Sequence, residues 1–340
     1  MTTPNSAPHI HRTDELVAAL PHLVGFHPAQ SLVVVWIGAG RVILTQRVDI
    51  PDAAGRRAVL AGRAEWVFVP TSAAARADAA AAVLCCDDEA DLHAVMPLVD
   101  RLHRQIEQAG VVLLDIVHLA SGRFRSLLCD GPCCPPEGRA VSPAVVEAAE
   151  AAFAFDGRAV LPDRAALVAQ VAADPRAIAE VAGLLPQRPR RARRGDRWRD
   201  AAITEVLDVV LGRPTTLPAD RRASVLRSLC DVRVRDTVLW DLAQVDADQA
   251  AAATTTLASL ARSAPDALCA PVATCCAIAA WLTGDGALAG AAVERALVAE
   301  PGYGLAGLID AALRAGWPPD AWRSIIGELD RATCRRGLLA

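Results

Sequence analysis

Leu127-Leu-Cys-Asp-Gly-Pro-Cys-Cys-Pro-Pro-Glu-Gly-Arg139 carries three cysteines, three prolines and two glycines behind an apolar strand. The thiols of Cys129, Cys133 and Cys134 could ligate a soft metal as thiolates. One of them could also act as a nucleophile, if a base lies in reach. A fourth ligand such as His27 would complete a tetrahedral zinc site. The spacing argues against zinc. Structural sites usually take two cysteine or histidine pairs, each separated by about two to four residues, and only one such pair is present here. His118 is a poor base for Cys129. With a hairpin turn at Ser121-Gly122 it faces about Phe124, and Cys129 follows roughly five residues later, about 17 Å at strand rise. The plainer reading is that Pro132, Pro135 and Pro136 stiffen a loop whose cysteines pack inward, so no metal and no cofactor is expected.

A second group gathers around Gly25-Phe26-His27-Pro28, just before the apolar run Ser31 to Ile37. If that run pairs through Gly38-Ala-Gly40 with Arg41 to Ile50, its start lies beside the end of its partner. His27 and Ser31 then come near Arg47 and Asp49. This is either a polar site or an ordinary Arg–Asp pair at a sheet edge, and both readings stand open. The Gly25 turn by itself needs no site: glycine frees the backbone, Phe26 buries and Pro28 sets the approach. The candidate ligand-binding residues are therefore His27, Ser31, Arg47, Asp49, Cys129, Cys133, Cys134 and Glu137. Asp87-Asp88-Glu89 could hold a cation, and a capped helix start explains it equally.

Other chemistry is excluded by what is missing. The chain has no Gly-x-Gly-x-x-Gly, no Gly-x-Ser-x-Gly and no His-Glu-x-x-His, and it lacks lysine altogether, so no phosphate-loop lysine exists. Arg188 to Arg199 packs seven arginines into twelve residues and could contact phosphates. A net charge of −4 and the lack of a recognition fold favour a solvated linker, so nucleic acid is not an expected partner. Met1 to Arg12 has no signal-peptide pattern. The uncharged run Ala267 to Gly284 is only weakly apolar and holds Pro271, which suits a bundle helix better than a membrane span. The expected location is the cytoplasm, with reduced cysteines. Cys85-Cys86 and Cys275-Cys276 sit in apolar runs and are expected to be buried.

The elements that must position these groups follow from periodicity. Strands are predicted at Ser31 to Ile37, Arg41 to Ile50, Glu65 to Val69, Ala81 to Cys86, Val111 to Leu119 and Arg123 to Leu128, with an Ala-rich helix before Ala81. Leu92, Val95, Val99, Leu102 and Ile106 mark a helix that Gly110 stops. After Ser142 strand signals almost vanish, Arg158 to Leu161 being a weak exception. Helices are predicted at Ala201 to Leu211, Asp220 to Leu229, Arg235 to Ala243 and Ala247 to Ala261. Ala277, Ala280, Gly284-Asp285, Ala289, Ala296 and Pro301 are spaced as in one tetratricopeptide-like helix pair, and Leu305 to Leu313 and Trp322 to Leu329 continue the stack.

Leu20 to Val35, Arg47-Val-Asp-Ile-Pro51, Cys129 to Gly138 and Gly284 to Tyr303 together resemble an uncharacterised actinobacterial family, domain of unknown function 4192. The family pattern often has one more residue between the first cysteine and the Cys-Cys pair than the Asp130-Gly131-Pro132 found here. The resemblance implies a cytoplasmic protein and assigns no activity.

The expected fold is a mixed α/β three-layer sheet followed by an all-α C-terminal domain with a tetratricopeptide-like helix pair. The expected organisation is an α/β domain over 1–140, a helical connector with the Arg-rich linker over 141–199 and a helical domain over 200–340. The expected function is non-enzymatic, a protein-interaction or regulatory role with a protein partner on the helical domain. The alternative is a small-molecule enzyme or ligand sensor whose His/Ser/Arg/Asp site lies next to the cysteine loop.

Overall fold

The computed structural model describes residues 10–66, 69–154, 160–185, 195–212, 214 and 216–337. The chain divides into two compact units, Met1–Arg164 and Ala165–Ala340. That division falls between the boundaries at 140 and 199 that composition predicts.

The first unit runs α1 (Thr13–Val24), β1 (Ser31–Gly38), β2 (Arg41–Asp49), α2 (Ala53–Leu60), α3 (Thr71–Ala74), β3 (Ala79–Cys85), α4 (Glu89–Gln108), β4 (Val112–Ala120), β5 (Arg123–Ser126), β6 (Arg139–Ala140) and α5 (Pro143–Ala154). The six strands form one mixed sheet in the order β2-β1-β3-β4-β5-β6. β1 is antiparallel to both β2 and β3, while β3 and β4 are parallel across the α4 crossover. A central strand covered on both faces needs an apolar run rather than an alternating one, and β1 is buried almost throughout.

Both faces of the sheet are covered. Leu32, Val34, Trp36, Ala82 and Leu84 meet Val95, Val99, Leu102 and Ile106 of α4. On the other face α1 packs against β2, β4 and α5. Thr13 of α1 donates its hydroxyl to Asp115 of β4, 3.1 Å away, which ties this helix to the sheet.

Several details differ from the sequence expectations. Val67 and Phe68, the middle of the strand expected at Glu65 to Val69, lie outside the described residues; Glu65, Trp66 and Val69 around them are not strand. The sixth strand is instead the two-residue β6, too short to leave a periodic signal. β3 starts at Ala79 rather than Ala81, because alanine carries no strand preference of its own and tertiary pairing decides. His118 faces Arg125, not Phe124, since the turn residues Ser121 and Gly122 place Ala120 opposite Arg123. Of Arg158 to Leu161, the first two residues lie outside the described set, and Leu161 forms an isolated bridge to Phe26.

The second unit is all-helical among its described residues. After α6 (Arg164–Ala169), which spans the division, come α7 (Pro175–Ala182), α8 (Asp196–Leu211), α9 (Ala219–Leu229), α10 (Val232–Gln244), α11 (Ala247–Arg262), α12 (Asp266–Leu282), α13 (Gly286–Ala299), α14 (Gly304–Arg314), α15 (Pro319–Gly327) and α16 (Arg331–Arg336). Every residue of α12 from Cys269 to Leu282 is buried, the signature of a helix surrounded by others. It packs on α13, and both helices bury several alanines, whose small side chains permit close approach. Gly284 takes a positive φ of 76° at the turn, and the Asp285 carboxylate accepts from the Leu288 N–H at 3.0 Å to start α13. Arg331 grips Asp241 through two bonds of 2.7 and 2.8 Å, holding α16 on α10. Among the described residues no helix is long and apolar enough to cross a membrane.

Candidate functional site

The loop between β5 and β6 folds back on itself. The Leu127 N–H donates to Ile116 O at 2.7 Å, which holds the loop's start on β4. At its end Arg123 donates to Glu137 O and Gly138 O at 2.8 and 2.7 Å. Gly138 needs its positive φ of 68° there, and the Phe124 carbonyl would lie only 3.0 Å from an added Cβ. Between these anchors the Cys134 N–H donates to Gly131 O at 2.9 Å, closing a tight turn.

That turn brings the three thiols together. The Cys129 and Cys133 sulfurs are 3.5 Å apart, and all three Sγ atoms, Cys134 included, lie within 4.8 Å of one another. Cys133 is exposed and the other two are half-buried, so the inward packing expected for this loop is not what forms. The Gly131 N–H donates to Cys129, and with bonds from Cys133 and Cys134 it holds that thiol below its ordinary pKa. Cys133 is pushed the other way by its bonds to Cys129 and Cys134. The remaining cysteines differ in kind. Burial drives Cys85 and Cys275 each up to about 12, which makes them inert core residues, as their apolar runs predict.

The hairpin residues are placed elsewhere. Ser31 pairs with Asp49, and Val33 with Arg47, across β1 and β2. Arg47 bonds Asp49 at 2.6 Å and lies over the Phe26 ring, 5.7 Å from its centroid. Ser31 is fully buried, and its hydroxyl has no hydrogen-bond partner among the described residues. His27 is exposed, its N–H on Leu161 O at 3.2 Å. β2 forms one edge of the sheet and β5-β6 the other. Three strand steps separate β1 from β5, about 14 Å. The structure thus brings Arg47, Asp49 and Phe26 together and keeps them apart from the thiols.

Two other polar groups serve the fold. His118 is buried with Nε2 2.8 Å from Cys86 O, so it is no partner for Cys129. Asp88 caps α4 through the Ala90 N–H at 2.8 Å, Asp87 accepts from the Ser121 N–H at 2.6 Å, and Glu89 pairs with Arg125 at 3.1 Å. Of the arginine run, Arg188 to Arg194 lie outside the described residues; Arg199 pairs with Asp231 at 3.3 Å.

A cleft on the first unit escapes sequence reasoning. His22 and His27 line a space of about 280 Å³ with Val146, Glu150 and Phe153. The His22 ring stacks flat on Phe153 with centroids 4.9 Å apart. Burial lowers the His22 pKa, against a pull upward from Glu150. Nothing local to His22 signals a helix more than a hundred residues away.

Fold and site together define a mixed α/β unit with a clustered thiol trio, followed by a unit that is all-helical among its described residues. The chain belongs to the family described as Domain of unknown function (DUF4192), whose model matches residues 14–320. No curated protein and no solved structure matches the chain.

Proposed function

We propose that this is a non-enzymatic regulatory protein of the cytoplasm, in which the α/β unit carries a thiol-based sensing site and the helical unit meets a protein partner. One observation carries the reading. The thiols are clustered and within reach of solvent, yet among the described residues no imidazole or carboxylate completes the group. A cysteine without a base binds ligands readily and turns over substrates poorly. Three further side chains that could do chemistry are engaged in the fold: His118 with a backbone carbonyl, Arg47 with Asp49, Asp88 with a helix start. On the helical unit, Val298 of α13 and Leu308 of α14 are 76% and 68% exposed, and in this reading they contact the partner.

The test uses the full chain. A protein co-purified from the host is identified, purified and titrated against wild type, Leu308→Asp and Cys133→Ser. The expected result is at least tenfold weaker binding for Leu308→Asp and a shifted affinity for Cys133→Ser. Binding indifferent to both substitutions, or turnover of a small molecule that Cys133→Ser abolishes, overturns the reading.

A further inference from the structure

We propose that Cys129, Cys133 and Cys134 bind one zinc ion through three thiolates, leaving its fourth position to solvent. As a statement of what the α/β unit senses, this rests on the regulatory reading above; as a statement about the site, it rests on geometry.

A zinc–thiolate bond is about 2.3 Å, so the edge of a tetrahedron of sulfurs is about 3.8 Å. The Cys129–Cys133 separation of 3.5 Å already matches that edge, and the widest separation in the trio is no more than 4.8 Å. Small side-chain rotations would bring all three sulfurs to one ion. The backbone is arranged to permit it. An added Cβ on Gly131 would lie 3.5 Å from both the Cys129 and Cys133 sulfurs, so the turn wraps closely around the thiols. The loop is also held at both ends, on Ile116 and on Arg123. Little ordering remains for the metal to impose.

The donor set selects the ion. Three sulfurs, with no oxygen or nitrogen ligand joining them among the described residues, disfavour magnesium and calcium and favour a thiophilic cation. Structural zinc sites are closed by four protein ligands, whereas sites with three keep an exchangeable position. The trio is of the second kind and faces solvent, which suits reversible loading. Uptake forms three Zn–S bonds and releases the thiol protons to buffer, so loading strengthens as pH rises. Sequence spacing predicts no metal here because it counts pairs along the chain. The adjacent Cys133 and Cys134 count as a poor pair by that rule, yet the turn through Gly131 points both at Cys129.

The experiment titrates the reduced, metal-free full chain with zinc against a chromophoric chelator, and in parallel with cobalt, whose thiolate charge-transfer band counts sulfur ligands. One equivalent of zinc is expected, with a cobalt band of three-thiolate intensity. Cys133→Ser and Cys134→Ser should each weaken zinc binding beyond the roughly 100-fold that loss of an outer-shell contact gives. Cys230→Ser, an exposed thiol of the helical unit, should leave it unchanged. The two loop variants alter half-buried or exposed positions, and unchanged circular dichroism and unfolding midpoints verify that they fold. No uptake by wild type, or equal loss in Cys230→Ser, overturns the site. A chain that takes up one zinc through these thiols while its partner affinity never responds sustains the site and removes the regulatory reading instead.

Discussion

The Gly131 backbone N–H donates to the Cys129 sulfur, and this bond contributes most to the lowered pKa of that thiol. The thiolate is the reactive form of cysteine. Cys129 should therefore alkylate first when the metal-free protein meets iodoacetamide near neutral pH, ahead of the more exposed Cys133, whose pKa is raised. Cys133→Ala removes a bond that stabilises the thiolate, so Cys129 should then react more slowly. Mass spectrometry of timed digests measures both rates. Faster labelling of Cys133 than of Cys129 would contradict the geometry.

Alkali should unfold the protein through its buried thiols. Cys85 and Cys275 are raised by burial from an ordinary value of 9.0 to about 12. Folded pKa values above the unfolded ones mean that the unfolded chain loses its protons first. This contribution is intact below about pH 9 and is lost as pH climbs toward 12. Each such thiol removes up to about 1.4 kcal/mol per pH unit in that window. Urea midpoints measured from pH 8.5 to 11 should fall steeply, and Cys275→Ala should flatten the slope. A slope unchanged in that variant would rule out the assignment to Cys275.

Ser31 offers a test of whether the hairpin group is a site. Its buried hydroxyl has no partner among the described residues, and an unsatisfied buried hydroxyl costs about 1–3 kcal/mol. Ser31→Ala should leave the melting temperature unchanged or raise it by a few degrees. A clear drop would mean that the hydroxyl is engaged in the native protein.

The core around α12 is built largely from small side chains, with Ala270, Ala273, Ala277, Ala279 and Ala280 all buried. Ala277 is fully buried on α12, and enlarging such a residue forces neighbouring side chains or backbone to move. Ala277→Leu should cost about 1–3 kcal/mol, read from chemical unfolding of the full chain. Val298→Ala, at an exposed position of α13, serves as the comparator and should change stability by less than about 0.5 kcal/mol. Equal effects of the two substitutions would show that the helix contact tolerates bulk.

How much of this was legible beforehand depends on the range of each signal. The apolar run of β1, the alternation of β2, the glycine turns at Gly40 and Gly122 and the periodic face of α4 are local patterns, and each produced its element. β6 is two residues long and the start of β3 is plain alanine, so neither had a pattern to read. In the candidate site the residues Cys129, Cys133 and Cys134 stood out at once by type. Their convergence did not, because it depends on one i to i+3 hydrogen bond, from Cys134 to Gly131, inside an irregular loop. Arg47 and Asp49 stand two residues apart on one strand, and the hairpin register sets them opposite Val33 and Ser31, while the cleft around His22 draws Glu150 and Phe153 from a distant helix.

By itself the sequence determined most of the strands and helices, where the chain turns and that Cys85, Cys86, Cys275 and Cys276 enter a core, because burial periodicity and backbone freedom act between near neighbours. Tertiary structure alone decided which reactive groups share space: it exposed three sulfurs as a cluster, set them a sheet's width from the arginine hairpin and brought Phe153 onto His22. Those meetings arise from packing between elements far apart in the chain, and no residue carries a local mark of the partner it will meet.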